Sequence, residues 1–206
     1  LVATIDIGTN SVLLLVARAS ADGSLTPVEE LATITRLGEG VDRNRELAPQ
    51  AIERTLVCLE SYAAVIAKHG ARAIDVVGTS AMRDARGGES FRERAASFLG
   101  VAPRIISGDE EARLTFAGGL SGIAVSGDVI VFDIGGGSTE LIRGALVRGD
   151  SASARIDSAI SLDVGSVRLT EAFFAGPDKE PLKEPLRPDV LVDERSRHLE
   201  EAEVPL

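Results

Sequence analysis

Two stretches far apart in this chain share one pattern: an apolar strand, Asp-Ile-Gly, two small residues, Ser, and a second strand. The first is Thr4-Ile5-Asp6-Ile7-Gly8-Thr9-Asn10-Ser11, with Val12 to Val16 behind it. The second is Val131-Phe132-Asp133-Ile134-Gly135-Gly136-Gly137-Ser138-Thr139-Glu140-Leu141-Ile142. Asp6 aligns with Asp133, Gly8 with Gly135 and Ser11 with Ser138. An internal repeat constrains architecture more than a lone motif does, because each copy is one supersecondary unit that needs its own surroundings. This one predicts an α/β chain of two related domains, 1–122 and 123–206, each opening on a hairpin with an anion-gripping loop. The second domain is expected to be incomplete, since less chain follows the loop at 133 than follows the loop at 6.

Glycine frees φ and ψ and removes the Cβ, so successive amide N–H groups can close around an anion. For either loop alone a simple tight turn is an equal reading; two loops with one Asp-Ile-Gly core argue for the anion. Asp133 enters the second loop and Glu140 leaves it. Two carboxylates beside a phosphate are reconciled by a metal, because Mg²⁺ takes oxygen ligands, often one or two carboxylates plus substrate phosphates.

The totals exclude several classes. A net charge of -10 argues against a phosphate-backbone grip on nucleic acid, which runs on excess Lys and Arg. Anion binding here has to be local, through amides, a few placed arginines and a metal. The single cysteine, Cys58, forms no internal disulfide framework, so a reducing cytoplasm is the expected compartment. No run approaches the ~18 apolar residues of a membrane span.

Taken in order, residues 2–7 and 11–18 form the first hairpin. Residues 26–37 read as a third, antiparallel strand around Val28, Leu31, Ile34 and Leu37, and 41–47 as a polar loop. A helix over 49–69 starts on Pro49, lines Ile52, Leu56, Leu59, Ala63 and Ile66 on one face, and closes on His69-Gly70. His69 reads as a cap rather than a catalyst, and Cys58 as packing. The strand 73–78 runs into Thr79-Ser80-Ala81-Met82-Arg83. That pattern either brings Arg83 to the carboxyl edge of the sheet, where ligands bind in open α/β folds, or leaves it on the surface.

A helix at 89–99 packs Phe91, Ala95, Phe98 and Leu99, and a short strand spans 103–106. Asp109-Glu110-Glu111 opens the next helix, to about 120. First-turn carboxylates offset the helix dipole, or one of them projects as a general base. With His69 and His198 the only histidines, acid–base work falls to Asp or Glu. Strands 141–149 and 155–162 flank a polar turn at 150–154. A helix over 164–174 begins with Gly165 and Ser166, which either cap it or offer an amide and a hydroxyl to a ligand. Prolines and charges dominate from Gly176, with a helix expected at 193–203.

IDIGTNS, GTSAMRDA, ISGDEEARL, FDIGGGSTEL and SLDVGSVRLTE together resemble the exopolyphosphatase / guanosine pentaphosphate phosphatase family, of the actin-like ATPase superfold. The resemblance covers about 1–174. It implies two ribonuclease-H-like domains with mixed sheets flanking a central cleft, in a cytoplasmic homodimer. It implies Mg²⁺-dependent release of terminal phosphate from linear polyphosphate, or of the 5′-γ-phosphate of guanosine pentaphosphate, with no nucleic-acid or membrane partner. Position by position, Glu111 corresponds to the glutamate that activates water, with Glu110 its neighbouring alternative. Asp133, Glu140 and the repeat counterpart Asp6 correspond to metal-linked carboxylates, Glu140 also to a water-orienting one. Gly135, Gly136, Gly137 and Ser138 correspond to one phosphate cradle, Gly8, Thr9, Asn10 and Ser11 to the other, and Arg83 to a phosphate-binding arginine. Ser166 stands where some relatives carry a cysteine. Two other readings compete: a kinase or ATPase of the same superfold, and a weakly catalytic sensor of guanosine tetraphosphate or pentaphosphate.

Overall fold

The computed structural model describes residues 1–174 apart from 22, 122, 124, 125, 148 and 149. The molecule divides into two compact units, Leu1–Leu169 and Thr170–Leu206. The first holds both sheets. In the second, the described residues finish the last described helix, where the Phe174 amide donates to Thr170 O at 2.8 Å. The helix expected at 193–203, and His198 within it, lie outside the described residues.

The first sheet has the order β3-β2-β1-β4-β5. β1 (Val2–Ile7), β2 (Ser11–Ala19) and β3 (Leu25–Ile34) form an antiparallel meander, and β4 (Ala73–Gly78) returns parallel to β1. The crossover is α2 (Pro49–His69), with Pro49 at its start, where a missing N–H costs nothing, and Gly70 left-handed at its end (φ 66°). α3 (Ser80–Asp84) and α4 (Gly88–Leu99) lead to the two-residue β5 (Arg104–Ile105), parallel to β4. Alternation along β1 and β2 sends Ala3, Ile5, Ile7, Val12, Leu14 and Val16 to one face. There they join Leu56, Leu59 and Ile66 of α2 and Phe91 and Ala95 of α4 in the main core. Burying side chains of this size stabilises by roughly 1.5–3 kcal/mol each.

α5 (Gly108–Gly119) then crosses to the second sheet, β6-β7-β8: β6 (Gly127–Ile134), β7 (Thr139–Val147) and β8 (Asp150–Leu162), all antiparallel. Phe116 and Ala112 of α5 pack with Ile142, Leu146, Val129 and Val131 in a smaller core. α6 (Ser166–Phe173) follows. The α/β class therefore forms, with a mixed first sheet and, among the described residues, an antiparallel second sheet where a mixed one was expected. No described helix is long and apolar enough to cross a membrane.

Four local expectations change. In β3, Val28 (42% exposed) and Ile34 (67%) face outward, while Leu31 packs on the core. A spacing of three puts successive residues on opposite faces of a strand of period two, so of these three Leu31 alone reaches the core. The polar loop at 41–47 contains a single turn, α1 (Val41–Asn44), bracketed by left-handed Gly40 and Arg45, with Val41 and Leu47 buried. Ser80–Asp84, read only as the run past a strand, is helical. The turn at 150–154 is instead the start of β8, where Asp150 pairs with Val147 and the register shifts before Arg155 pairs with Ala145.

Candidate functional site

The two repeat loops close alike. Gly8 N–H donates to Ser11 O and Gly135 N–H to Ser138 O, each at 2.9 Å. The carbonyls of each loop are tied back by the segment behind it. For the first loop this is a strap at 35–38: Gly38 N–H donates to Thr9 O, and the Thr35 and Arg36 amides donate to Asn10 O. For the second it is the start of α6: Ser166 N–H donates to Gly135 O (3.0 Å), Val167 N–H to Gly136 O (2.9 Å) and Arg168 Nε to Gly137 O (2.6 Å). A trans peptide points its carbonyl and its amide in opposite directions. Pinning these carbonyls back therefore turns the amides of Asn10, Ser11, Gly136, Gly137 and Ser138 the other way. Among the described residues the amides of Asn10, Gly136 and Gly137 find no backbone acceptor. A row of such N–H groups is a ready anion cradle.

The glycines serve closeness, not handedness. Among described glycines, positive φ occurs only at Gly23, Gly40, Gly70, Gly87, Gly100 and Gly127, so Gly8 and the triplet keep ordinary backbone angles. A Cβ on Gly136 would lie 2.9 Å from Asn10 Cβ and 3.0 Å from Asn10 N, so the two loops touch. A Cβ on Gly165 would lie 2.6 Å from Gly137 N, so α6 can approach the loop only through glycine. Thr9 Oγ1 and Ser80 Oγ share a buried hydrogen bond of 2.7 Å, which fastens the first loop to α3. Ser166, expected as cap or ligand, turns both its amide and its hydroxyl (3.4 Å) to Gly135 O.

The acidic residues separate clearly. Glu110 is half-exposed and pairs with Arg104 (2.9 Å), while its amide is capped by Ser107 Oγ (3.2 Å). One residue on, Glu111 is only 14% exposed at its side chain and meets Arg83 Nη1 at 3.3 Å. The same Arg83 nitrogen also donates to Ile106 O at 3.0 Å, which orients the guanidinium. Burial, then the neighbouring Glu140 charge, push Glu111 up to about 7; the Arg83 hydrogen bond and charge oppose this, and Asp6 adds to it. Glu140 is 1% exposed and accepts a hydrogen bond from Ser161 Oγ at 2.8 Å. Asp133 stands opposite Glu140 in the β6–β7 register, is exposed, and accepts from Thr115 Oγ1 at 3.2 Å.

Asp6 rises to about 6 through burial and then the Asp133 charge, and its buried Oδ1 has no hydrogen-bond partner among the described residues. An orphaned carboxylate oxygen beside a second carboxylate suits a hard cation. No three Asp, Glu, His or Cys side chains among the described residues are gathered tightly enough to cage one. The Asp6 and Asp133 carboxylates alone would fit Mg²⁺, which is commonly held by one or two carboxylates with phosphate and water completing its shell.

The structure thus brings Asp6, Glu111, Glu140, Arg83 and both loops into one neighbourhood, and leaves Glu110 in a surface ion pair. Sequence reasoning missed Arg168 and the strap at 35–38. Arg168 lies within SLDVGSVRLTE, but nothing in that string distinguishes it from a solvated helix arginine. The strap has no chemical signature, because it acts through its backbone.

The Ppx/GppA phosphatase family matches residues 15–188. The chain belongs to that family. It is 39% identical over 179 residues to exopolyphosphatase 2 of Mycobacterium tuberculosis, covering 82% of this chain and 54% of that protein. It is 39% identical over 180 residues to a bifunctional 3-dehydroquinate synthase/phosphatase of Fusobacterium nucleatum, covering 84% of this chain and 26% of that protein. Among solved structures, the Aquifex aeolicus member of the Ppx/GppA family superposes with a TM-score of 0.67 at 34% identity, covering 85% of this chain and 55% of that one. An exopolyphosphatase from Cytophaga hutchinsonii shares the fold at a TM-score of 0.76 and 24% identity, over 92% of this chain and 56% of that one. This Ppx/GppA chain spans about half the length of exopolyphosphatase 2. The actin-like ATPase type of fold follows from membership.

Proposed function

We propose that this chain carries the water-activating and phosphate-gripping part of a phosphoanhydride hydrolase. Its substrate would be linear polyphosphate, as the name of the 39% identical exopolyphosphatase 2 suggests, or the 5′-γ-phosphate of guanosine pentaphosphate. The observation that carries this reading is Glu111: a largely buried carboxylate, aimed by Arg83, in the neighbourhood of two loops whose amides are turned away from their own carbonyls.

Cleaving a phosphoanhydride is mostly a matter of positioning and of neutralising charge on the transferred group. The amides of Asn10, Gly136 and Gly137 supply neutral donors, which an acidic protein needs when it binds an anion. Arg83 supplies charge; its Nη1 holds Glu111 and Ile106 O, its Nε lies 3.7 Å from Asp84, and its Nη2 would take a phosphate oxygen. Glu111 orients and deprotonates water, and a base held near neutrality by burial suits that work. Asp6 and Asp133 would hold Mg²⁺, which neutralises phosphate charge when bound. Glu140, locked by Ser161, keeps its position and raises the basicity of Glu111.

The test is phosphate release from long-chain polyphosphate and from guanosine pentaphosphate, with Mg²⁺, by the full-length protein and by Glu111→Gln. Loss of a general base costs ~10²–10⁴-fold in rate. We expect that loss in kcat with substrate binding retained. Glu110→Gln should change the rate little. A folded wild type that releases phosphate from neither substrate yet binds guanosine tetraphosphate tightly would replace the hydrolase with a sensor.

A further inference from the structure

We propose that Arg168 is a positioning residue that makes the assembly of the anion cradle and the closure of the two hairpins a single event. Its side chain is 16% exposed, and its guanidinium uses all three nitrogens in different directions. Nε donates to Gly137 O (2.6 Å), Nη1 to Asp42 Oδ1 (2.5 Å) and Nη2 to Asp84 Oδ2 (2.8 Å), with Asp163 farther off at 3.8 Å. The fork is planar and rigid, so fixing two of its corners fixes the third. Asp42 and Asp84 belong to the first hairpin's surroundings, and Gly137 to the second loop. The peptide orientation that turns the Ser138 amide outward is thus set by where those two aspartates stand.

Each aspartate is also one step from the machinery. Asp42 sits in α1, which begins directly after the strap: Val41 N–H donates to Gly38 O, and Gly38 N–H to Thr9 O. Asp84 ends α3, the element that carries both Ser80, bonded to Thr9, and Arg83, bonded to Glu111. Asp84 Oδ1 lies 3.7 Å from Arg83 Nε as well, so one carboxylate serves both arginines. Arg168 therefore touches the support of each loop and the partner of the reactive carboxylate at once. If it moves, the Gly137 carbonyl, the strap and α3 lose their common reference. A lysine would keep the charge and lose the three-way geometry.

The kinetic part of this inference rests on the hydrolase reading; the structural part does not. The full-length protein would be compared with Arg168→Lys, Arg168→Ala, Asp84→Asn and the Arg168→Ala/Asp84→Asn double variant. Two quantities are measured: kcat and KM for phosphate release from polyphosphate, and hydrogen exchange at the Ser166 and Val167 amides, which bond the loop carbonyls. We expect Arg168→Lys to lower kcat ~10- to 100-fold with KM little changed, as small misplacements of reacting groups do. Exchange at Ser166 and Val167 should accelerate while interior amides of α2 stay as they are. Asp84→Asn should act in the same direction, and the double variant should be no worse than Arg168→Ala. If Arg168→Ala does not fold, Arg168→Lys and Asp84→Asn decide the matter. Unchanged exchange at those amides in a folded Arg168→Lys, or strictly additive losses in the double variant, would overturn the proposal. If wild type cleaves neither polyphosphate nor guanosine pentaphosphate, the hydrolase reading fails, and the exchange measurement alone supports or overturns the role of Arg168.

Discussion

In the first sheet, the face carrying Ala3, Ile5 and Ile7 lies under α2 and α4, and none of these residues is more than 2% exposed. In the second sheet the matching positions, Ile130, Phe132 and Ile134, are 61%, 62% and 74% exposed. The opposite faces invert the relation. In the second sheet that face, with Val131, Glu140 and Ile142, lies under α5; in the first it is an open groove of about 520 Å³ lined by Thr4, Asp6, Leu13, Leu15, Glu30 and Ala32. One hairpin pattern is thus covered from either side, depending on which helices follow it. The site carboxylates occupy the same face in both copies, so the inversion has a chemical consequence. Among the described residues only the second hairpin has a helix over that face, and this helix delivers Glu111 from its first turn. The repeat makes two loops; the cover brings a buried carboxylate, Glu111, beside Glu140 of the second.

The sharpest way to break that comparison is to truncate one residue at matching positions. Ile5→Ala removes a fully buried side chain and should destabilise by roughly 2–5 kcal/mol. Phe132→Ala, at a position 62% exposed, should cost less than about 1 kcal/mol. Equilibrium urea denaturation of the two variants measures both. A Phe132→Ala loss as large as that of Ile5→Ala would mean that this face is covered in the full-length protein, and the asymmetry would vanish.

The aspartates at the ends of β1 and β6 sharpen the comparison through pH. The Asp6 carboxyl is raised from 3.8 to about 6, chiefly by burial and then by Asp133, so the folded state holds the proton more tightly than the unfolded state does. Its stabilising effect is fully present below pH ~4 and is lost as pH rises through about 6. Glu111 acts in the same direction from 4.5 to about 7. Asp6→Asn should therefore stabilise the apo protein at pH 7.5 by on the order of 2 kcal/mol and leave it nearly unchanged at pH 4. Thermal melts at the two pH values, without Mg²⁺, show whether it does. A destabilised Asp6→Asn at pH 7.5 would mean that the carboxylate has a partner in solution.

How much of this was legible follows from which atoms do the work. The hairpins, the long helix with Pro49 and Gly70, and the pairing of Asp6 with Asp133 are written in side-chain type and spacing, and they form as read. The order of Glu110 and Glu111 could not be read from spacing, because two adjacent residues on a helix differ only in which way each side chain faces. The structure separates them through Arg104 on one side and Arg83 on the other. The carbonyl tie-backs were invisible for a deeper reason: the strap at 35–38 and the start of α6 act through backbone groups that every residue has. The glycine triplet was read both for conformational freedom and for its missing Cβ; the second reason holds, but the group that comes close at Gly136 is Asn10 of the other loop.

The smallest effect concerns the one position where the two hairpins differ most in chemistry. Opposite Asp6 across the first hairpin stands Leu13, 45% exposed; opposite Asp133 stands Glu140, 1% exposed and bonded to Ser161. A buried carboxylate with few partners depends on each of them. Ser161→Ala should cost about 1.5 kcal/mol, the usual size for a hydrogen bond to a charged group, because Glu140 Oε1 is then left unsatisfied. Leu13→Ala, at a half-exposed position over an open groove, should cost less than that. Denaturation at pH 7.5 compares the two. A Ser161→Ala loss that disappears on adding Mg²⁺ would identify the cation as a second partner of Glu140. A loss that persists would leave Glu140 without a bound cation, its charge acting on Glu111 alone, which it helps push up to about 7.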